Sequence, residues 1–205
     1  MVVSKPGGSK SADQLPTTQE ELVATFGDCY QIKIVDLGNA CWTHKHFTDD
    51  VQTRQYRAPE VILGAKYDTA IDIWSIACIV FELLTGDLLF EPKSGKTFDK
   101  NDDHLAQMQE LLGKMPKSVS LTGKNTGKFF NRHGDLRTIK NLRTWKLKDV
   151  LQEKYKFSQK DATEVTDFLL PMLNMSPRDR ATASAMLEHP WIKDINVKDF
   201  ASAFN

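Results

Sequence analysis

Asp36 follows the short alternating stretch "QIKIV" at 31–35 and stands directly before a Leu-Gly pair. A carboxylate at the mouth of a strand, beside a glycine that lets the chain turn sharply, calls for an explanation of what it does there. One reading of these residues is an Asp-Leu-Gly turn closing an edge strand. Asp103 and Glu110 lie seven residues apart, which at about 3.6 residues per turn sets both acids on one helix face. Asp103 has an ordinary explanation, since an acid in a first turn complements the helix dipole or caps it, whereas Glu110, near a C-terminus, opposes that dipole. His44 and His46 flank Lys45 with no third ligand nearby, which favours an exposed loop over a metal site. Thr43 and Thr48 offer hydroxyls for phosphorylation, although nothing in the sequence requires it.

These side chains need elements to position them. Ile32 and Ile34 alternate with Lys33, a short strand signal that stops at Asp36, and the chain is loop-like from there to about Ala58. "AIDIWSIACIVFELLTG" (70–86) is apolar almost all round and closes on Gly86, so a helix buried on several sides is expected as the central rod of the core. "NDDHLAQMQELLG" follows, with Asn101 or Asp102 expected as N-cap, Leu105, Met108 and Leu112 on one face, and Gly113 as terminator. Gly123 to Gly134 reads as an extended loop. "WKLKDVLQEKY" and "SQKDATEVTDFLLPML" read as two further helices, the second capped by Ser158 with Asp161 three residues on, and a last short helix is expected from about Ala183 to Glu188.

Composition narrows the classes. A chain of 205 residues with 40% hydrophobic content has enough apolar surface for a sizeable core. Lys and Arg (27) balance Asp and Glu (27), so no overall field draws it to nucleic acid or an anionic membrane, and any recognition of charge must be local. Cys29, Cys41 and Cys78 are odd in number and show no CxxC spacing, which speaks against a disulfide framework and fits a reducing compartment, cytoplasmic and/or nuclear. The longest apolar stretch, Ile71 to Leu84, is interrupted by Asp72, Ser75 and Glu82, so neither a membrane span nor a secretory signal is indicated.

Three patterns occur in fixed order: Asp36-Leu37-Gly38, Ala58-Pro59-Glu60 and Asp72-Ile73-Trp74-Ser75. Together they resemble the later half of the protein kinase signature set, in which the Asp of a D-F-G unit holds Mg²⁺ and A-P-E closes the activation segment. Leu37 in place of Phe, with "DLGNACW", "QTRQYRAPEVILG", "TGDLLFEP", "DDHLAQMQELLG", "EKYKFS" and "HPW", is similar to the SR-protein kinases, which phosphorylate Ser in the Arg-Ser repeats of splicing factors. The resemblance runs from Ile32 to Ile192, roughly four-fifths of the chain. It implies a mainly α fold: the large C-terminal lobe of a kinase, truncated, with a short β segment before the D-L-G unit. Residues 1–28 are then a disordered spacer-like tail, poor in large apolar residues, 29–193 a partial kinase lobe and 194–205 a C-terminal extension.

The resemblance also implies roles. Asp36 is the Mg²⁺ ligand of an ATP- and Mg-dependent enzyme. Thr53 contacts the catalytic base, and Arg54, Arg57 and Lys100 face a phosphoserine or acidic group beside the acceptor, a task that suits guanidinium forks. Asp87, Asp103, Glu110 and Lys154 line an acidic docking groove for Arg-rich peptide; for Lys100 and Lys154 the alternative is a solvated surface lysine. Glu60 pairs with Arg180, tying the activation segment to the last helices, and Asp72 accepts backbone hydrogen bonds from the catalytic loop. For Glu60 and Arg180 the alternative is an exposed pair of little value.

No Gly-rich loop, V-A-I-K strand or H-R-D-type loop occurs in the sequence. The base and second Mg²⁺ ligand of a working kinase are therefore not found, and the chain alone is expected to be inactive unless completed by an N-terminal kinase part. The expected partners are Arg-Ser-rich splicing factors, with no direct nucleic-acid or membrane contact. The alternatives are a non-catalytic module that docks Arg-Ser-rich peptides, or a truncated product without function. Ile73, Ile76, Ala77, Val80 and Leu84 of the central helix span more than one face, so some of its apolar surface is expected to lie open, with Asp72 lacking its family partners.

Overall fold

The computed structural model describes residues 2–3 and 32–193. Apart from Val2 and Val3, the tail assigned to 1–28 lies outside the described residues, as do Cys29 and the extension 194–205. The chain divides into two units, Met1–Trp42 with Asp194–Asn205, and Thr43–Lys193.

In the first unit, β1 (Val2–Val3) pairs antiparallel with β2 (Ile32–Lys33), Val2 opposite Lys33 and Val3 opposite Ile32. The strand expected over 31–35 is thereby reduced to two residues, and Ile34 and Val35 fall outside it. Two β-branched residues of the segment read as tail supply the other side of the ladder. Asp36 then heads a single 3-10 turn, Leu37–Asn39.

The second unit is helical. A 3-10 turn (Arg54–Tyr56) leads into α1 (Pro59–Leu63), which begins on proline, a residue suited to the first helical position because its missing N–H has no partner to lose. α2 (Ala70–Thr85) is the expected central rod: Ile71, Ile73, Trp74, Ala77, Cys78 and Phe81 are buried. Gly86 ends it at φ 78°, a left-handed conformation that glycine adopts without a Cβ penalty, and its N–H donates to the Glu82 carbonyl. Trp74 is fully buried, stacked on Phe90 at 5.8 Å and under the Arg180 guanidinium at 5.1 Å.

α3 (Lys100–Leu112) starts on Asp99, not on Asn101 or Asp102 as the sequence suggested. The Asp99 carboxylate accepts from the Asn101 and Asp102 amides, and Asp102 reaches back to the Asp99 N–H at 3.0 Å, a reciprocal capping box built from two aspartates. Gly113 ends the helix as expected. The segment 123–134 is not wholly loop, since it holds the short turn α5 (Thr126–Phe129) after α4 (Lys117–Ser120). Gly123, at φ 97°, lies so close to Leu63 that a Cβ there would strike the Leu63 carbonyl.

α6 (Leu147–Glu153) packs on α7 (Gln159–Met172), and α7 packs on α2. The Ser158 hydroxyl caps α7 by accepting from the Asp161 amide at 3.1 Å, as the sequence indicated. α8 (Ala183–Leu187) follows, and "HPW" opens a further short helix, α9 (Pro190–Lys193). One stripe of α2 stays open: Ile76 (46% exposed), Ile79 (39%) and Leu83 (68%), spaced three and four apart. Among the described residues no helix is long and apolar enough to cross a membrane.

Candidate functional site

Asp36 sits at φ 63°, ψ 64°. Asp tolerates this left-handed region better than most residues because its short side chain is small and polar. Its carboxylate makes no capping bond to the turn it heads. Among the described residues no group of three or more His, Cys, Asp and Glu could hold a metal ion, so Asp36 is a lone donor and the donor set does not complete a Mg²⁺ site. His46 is engaged otherwise, its ring stacked on Tyr67 at 4.0 Å.

The segment before α1 is organised by a residue that the sequence reading passed over. Gln52 has φ 64°, and its amide nitrogen donates to the Ile71 carbonyl at 2.8 Å and the Ser75 hydroxyl at 2.7 Å. Its amide oxygen accepts from Ala58 N–H at 2.9 Å, and its own carbonyl accepts from the Arg57 guanidinium at 2.8 Å. One side chain thus ties the Arg54–Tyr56 turn and the start of α1 to the central rod. Arg57 also pairs with Asp50 at 2.9 Å, and Arg54 donates to the Asn101 side chain at 2.6 Å. The latter bond brings the N-terminal turn of α3, which carries Lys100, to the Arg54 segment. Thr53 and Lys100 are exposed. Beneath lies His104, fully buried with neither ring nitrogen partnered. Burial, then the charges of Arg54 and Arg57, push its pKa down to about 3, so the ring is neutral. Tyr56 donates to Glu82 at 2.7 Å, a bond that pushes the phenol up to about 12.

Glu60 and Arg180 form a buried two-pronged pair, at 2.7 and 2.9 Å. Arg180 further donates to the carbonyls of Ala70 (2.8 Å) and Asn174 (2.9 Å). Four of the five guanidinium N–H groups are used and both side chains are buried, so the exposed-pair alternative does not apply here. Asp72 is exposed, its side chain makes no hydrogen bond among the described residues, and partial desolvation raises its carboxyl above the ordinary range.

A cavity of about 680 Å³ lies between α3, the end of α2 and α6, its charged lining made of two acids, Glu110 and Glu153, and two bases, Arg143 and Lys154. Glu110 and Lys154 line it directly, with Trp145, Tyr155, Gln107 and Leu89. Glu110 accepts from the Arg143 amide at 2.8 Å, which fixes the carboxylate at the wall, while the Trp145 indole donates to Glu153 at 2.9 Å. Asp87 is bound by Lys154 and by the Tyr155 hydroxyl, each at 2.8 Å, and those bonds hold its carboxyl below the usual range and raise Lys154. Asp103 does not line the cavity. It accepts from Gln107, a lining residue, and from Lys93 N–H, both at 2.8 Å. Since Asp99 and Asp102 already cap α3, the capping explanation for Asp103 falls away.

Of the groove residues named from the sequence, Glu110 and Lys154 line the cavity and Asp87 and Asp103 do not, while Glu153, Arg143 and the aromatic walls, Trp145 and Tyr155, were missed. "WKLKDVLQEKY" carries the signal, an aromatic at each end of one short helical stretch, but spacing alone does not show that both ends meet the same cavity.

Residues 22–192 match the protein kinase domain family. The chain is 60% identical over 165 residues to the serine/threonine-protein kinase SRPK of Physarum polycephalum, covering 80% of this chain and 39% of that protein. It is 56% identical over 164 residues to SKY1 of Saccharomyces cerevisiae, again over 80% of this chain but 22% of that protein. To human SRSF protein kinase 3 it is 54% identical over 165 residues, 80% of this chain and 29% of that protein. The chain therefore spans between about a fifth and two-fifths of the length of these relatives. With the D-L-G, A-P-E and D-I-W-S units in order and the buried Glu60–Arg180 pair, it belongs to the protein kinase family, in the SR-protein kinase branch.

Proposed function

We propose that this chain supplies the substrate-docking and substrate-positioning part of a serine/threonine kinase that phosphorylates Ser in Arg-Ser-rich splicing factors. The observation that carries this reading is the cavity beside α3, in which Glu110 is held by a backbone amide and Trp145 and Tyr155 share the lining. A guanidinium of an Arg-rich peptide would meet the free oxygen of Glu110 and stack on Trp145 or Tyr155, with Asp103 and Glu153 adding negative field. Lys154 offsets Asp87 and sets a limit to how many arginines the groove takes. Arg54, Arg57 and Lys100 form a separate basic group at the start of α3, suited to a phosphoserine or acidic residue further along the same peptide, with Thr53 beside them. Kinases of this family use ATP and Mg²⁺ generally, and Asp36 is the residue proposed to hold the metal once a further kinase part supplies the remaining ligands. The proposed compartment is cytoplasmic and/or nuclear.

The test is binding of a fluorescent Arg-Ser peptide to the full chain, followed by anisotropy across a salt series. Asp103→Ala with Glu110→Ala should weaken binding by about tenfold or more and flatten its salt dependence, because two local charges are removed from an otherwise neutral protein. Equal binding by the double variant at low salt would remove the groove from the reading. Binding without phosphate transfer supports docking alone, while transfer abolished by Asp36→Asn would show a complete enzyme.

A further inference from the structure

We propose a second ligand site, separate from the groove, that takes a carboxylate carried on an apolar stem. A cavity of about 490 Å³ lies on the far side of the 142–145 segment, between the C-terminal end of α3 and the loop that follows α5. Along that segment Leu142 lines this cavity and Arg143 and Trp145 line the groove, while Thr144 borders both. On α3 the same division falls between Gln109 and Glu110. The two spaces thus share a thin wall and no charged residue.

Gln109 is the reason to expect an occupant. It is buried, and its amide oxygen accepts from Met115 N–H at 3.1 Å, which fixes the orientation of the amide. The nitrogen end is left over, buried and without a partner. An unpaired donor in that position is costly and calls for an acceptor. Lys140, also on the wall, carries no ion pair among the described residues, whereas Lys114 is taken at 2.5 Å by Asp135, the one carboxylate on this wall. Leu136, Ile139 and Leu142 supply an apolar surface. A leftover amide donor, an unpaired ammonium and an apolar wall together match a carboxylate followed by a short hydrocarbon stem. The site does not depend on the kinase reading.

The experiment uses the ¹⁵N-labelled full chain titrated with hexanoate, with 1-hexanol and acetate as the stem-only and charge-only comparisons. Hexanoate should move the Gln109 side-chain amide signals saturably, those signals being identified by their loss in Gln109→Met. Hexanol and acetate should each bind about tenfold more weakly or worse, and Lys140→Ala should weaken hexanoate several-fold. The Trp145 indole signal should stay in place, since it reports the groove. Three results would each overturn the proposal: Gln109 signals unmoved by hexanoate, which leaves water as the only occupant; hexanol equal to hexanoate, which leaves apolar partitioning; or movement of Trp145 instead of Gln109. The comparison among probes uses the unsubstituted protein and so survives any loss of folding in a variant.

Discussion

His104 shows how a single residue couples the positioning segment to stability. Its ring is buried against Phe90 at 5.3 Å beneath Arg54 and Arg57, and its pKa falls from 6.5 to about 3. Between those values the unfolded chain binds more protons than the folded one, so stability is full above pH 6.5 and declines as pH falls toward 3. At pH 5 the loss from this one group is about 2 kcal/mol. Urea unfolding at pH 7.5 and pH 5 should therefore show His104→Leu losing less stability on acidification than the parent, by about that amount. Parallel losses would mean that the ring takes up its proton without cost. The sequence did not reveal the part played by this residue or by Gln52: both stand inside stretches that carry the family resemblance, but nothing in their spacing marks a buried or bracing side chain. Their roles come from neighbours 19 to 23 residues away in the case of Gln52, which only the folded chain brings near. Glu110 was legible because an acid late in a helix runs against the dipole and so demanded another explanation.

At the level of elements, the helices were legible where hydrophobic period and terminators agreed, as in α2 with Gly86 and α7 with Ser158. α3 was found but its start was misjudged, because Asp99, Asn101, Asp102 and Asp103 are all competent caps and only geometry selects Asp99. The short turns α4, α5 and α9 span four residues each and are held by surrounding structure more than by their own propensity, so they left little signal. The expectation of open apolar surface on α2 is met at Ile76 and Leu84 but not at Ile73 and Ala77, which are buried, and the open stripe runs through Ile76, Ile79 and Leu83. Such a stripe promotes association. Changing all three to Lys should reduce self-association in sedimentation velocity while altering unfolding free energy by no more than about 0.5 kcal/mol per site. A large drop in stability would show that the stripe packs against something in the folded chain.

Within the second unit one contact joins its first helix to the 174–180 loop: Glu60 and Arg180 are 120 residues apart and buried. Capping boxes and short turns act within one element, but this pair sets the position of α1 against α2, through the Ala70 carbonyl, and against the 174–180 loop, through the Asn174 carbonyl. Removing one partner leaves the other buried and uncompensated, so Arg180→Ala should lower unfolding free energy by about 3–5 kcal/mol. Against a total of about 5–15 kcal/mol for a typical domain, that loss is enough to unfold much of the population at moderate temperature. Glu60→Gln should cost less, because the amide oxygen still accepts from the guanidinium and the carbonyls of Ala70 and Asn174 still hold it. Glu60→Met combined with Arg180→Met should cost less than Arg180→Ala alone, since neither variant side chain strands a charge. Urea unfolding of the three variants tests the order. If Arg180→Ala costs less than about 1 kcal/mol, in the range of an exposed pair, then the first and last segments are held together by apolar packing around Trp74 and the pair merely sits within it.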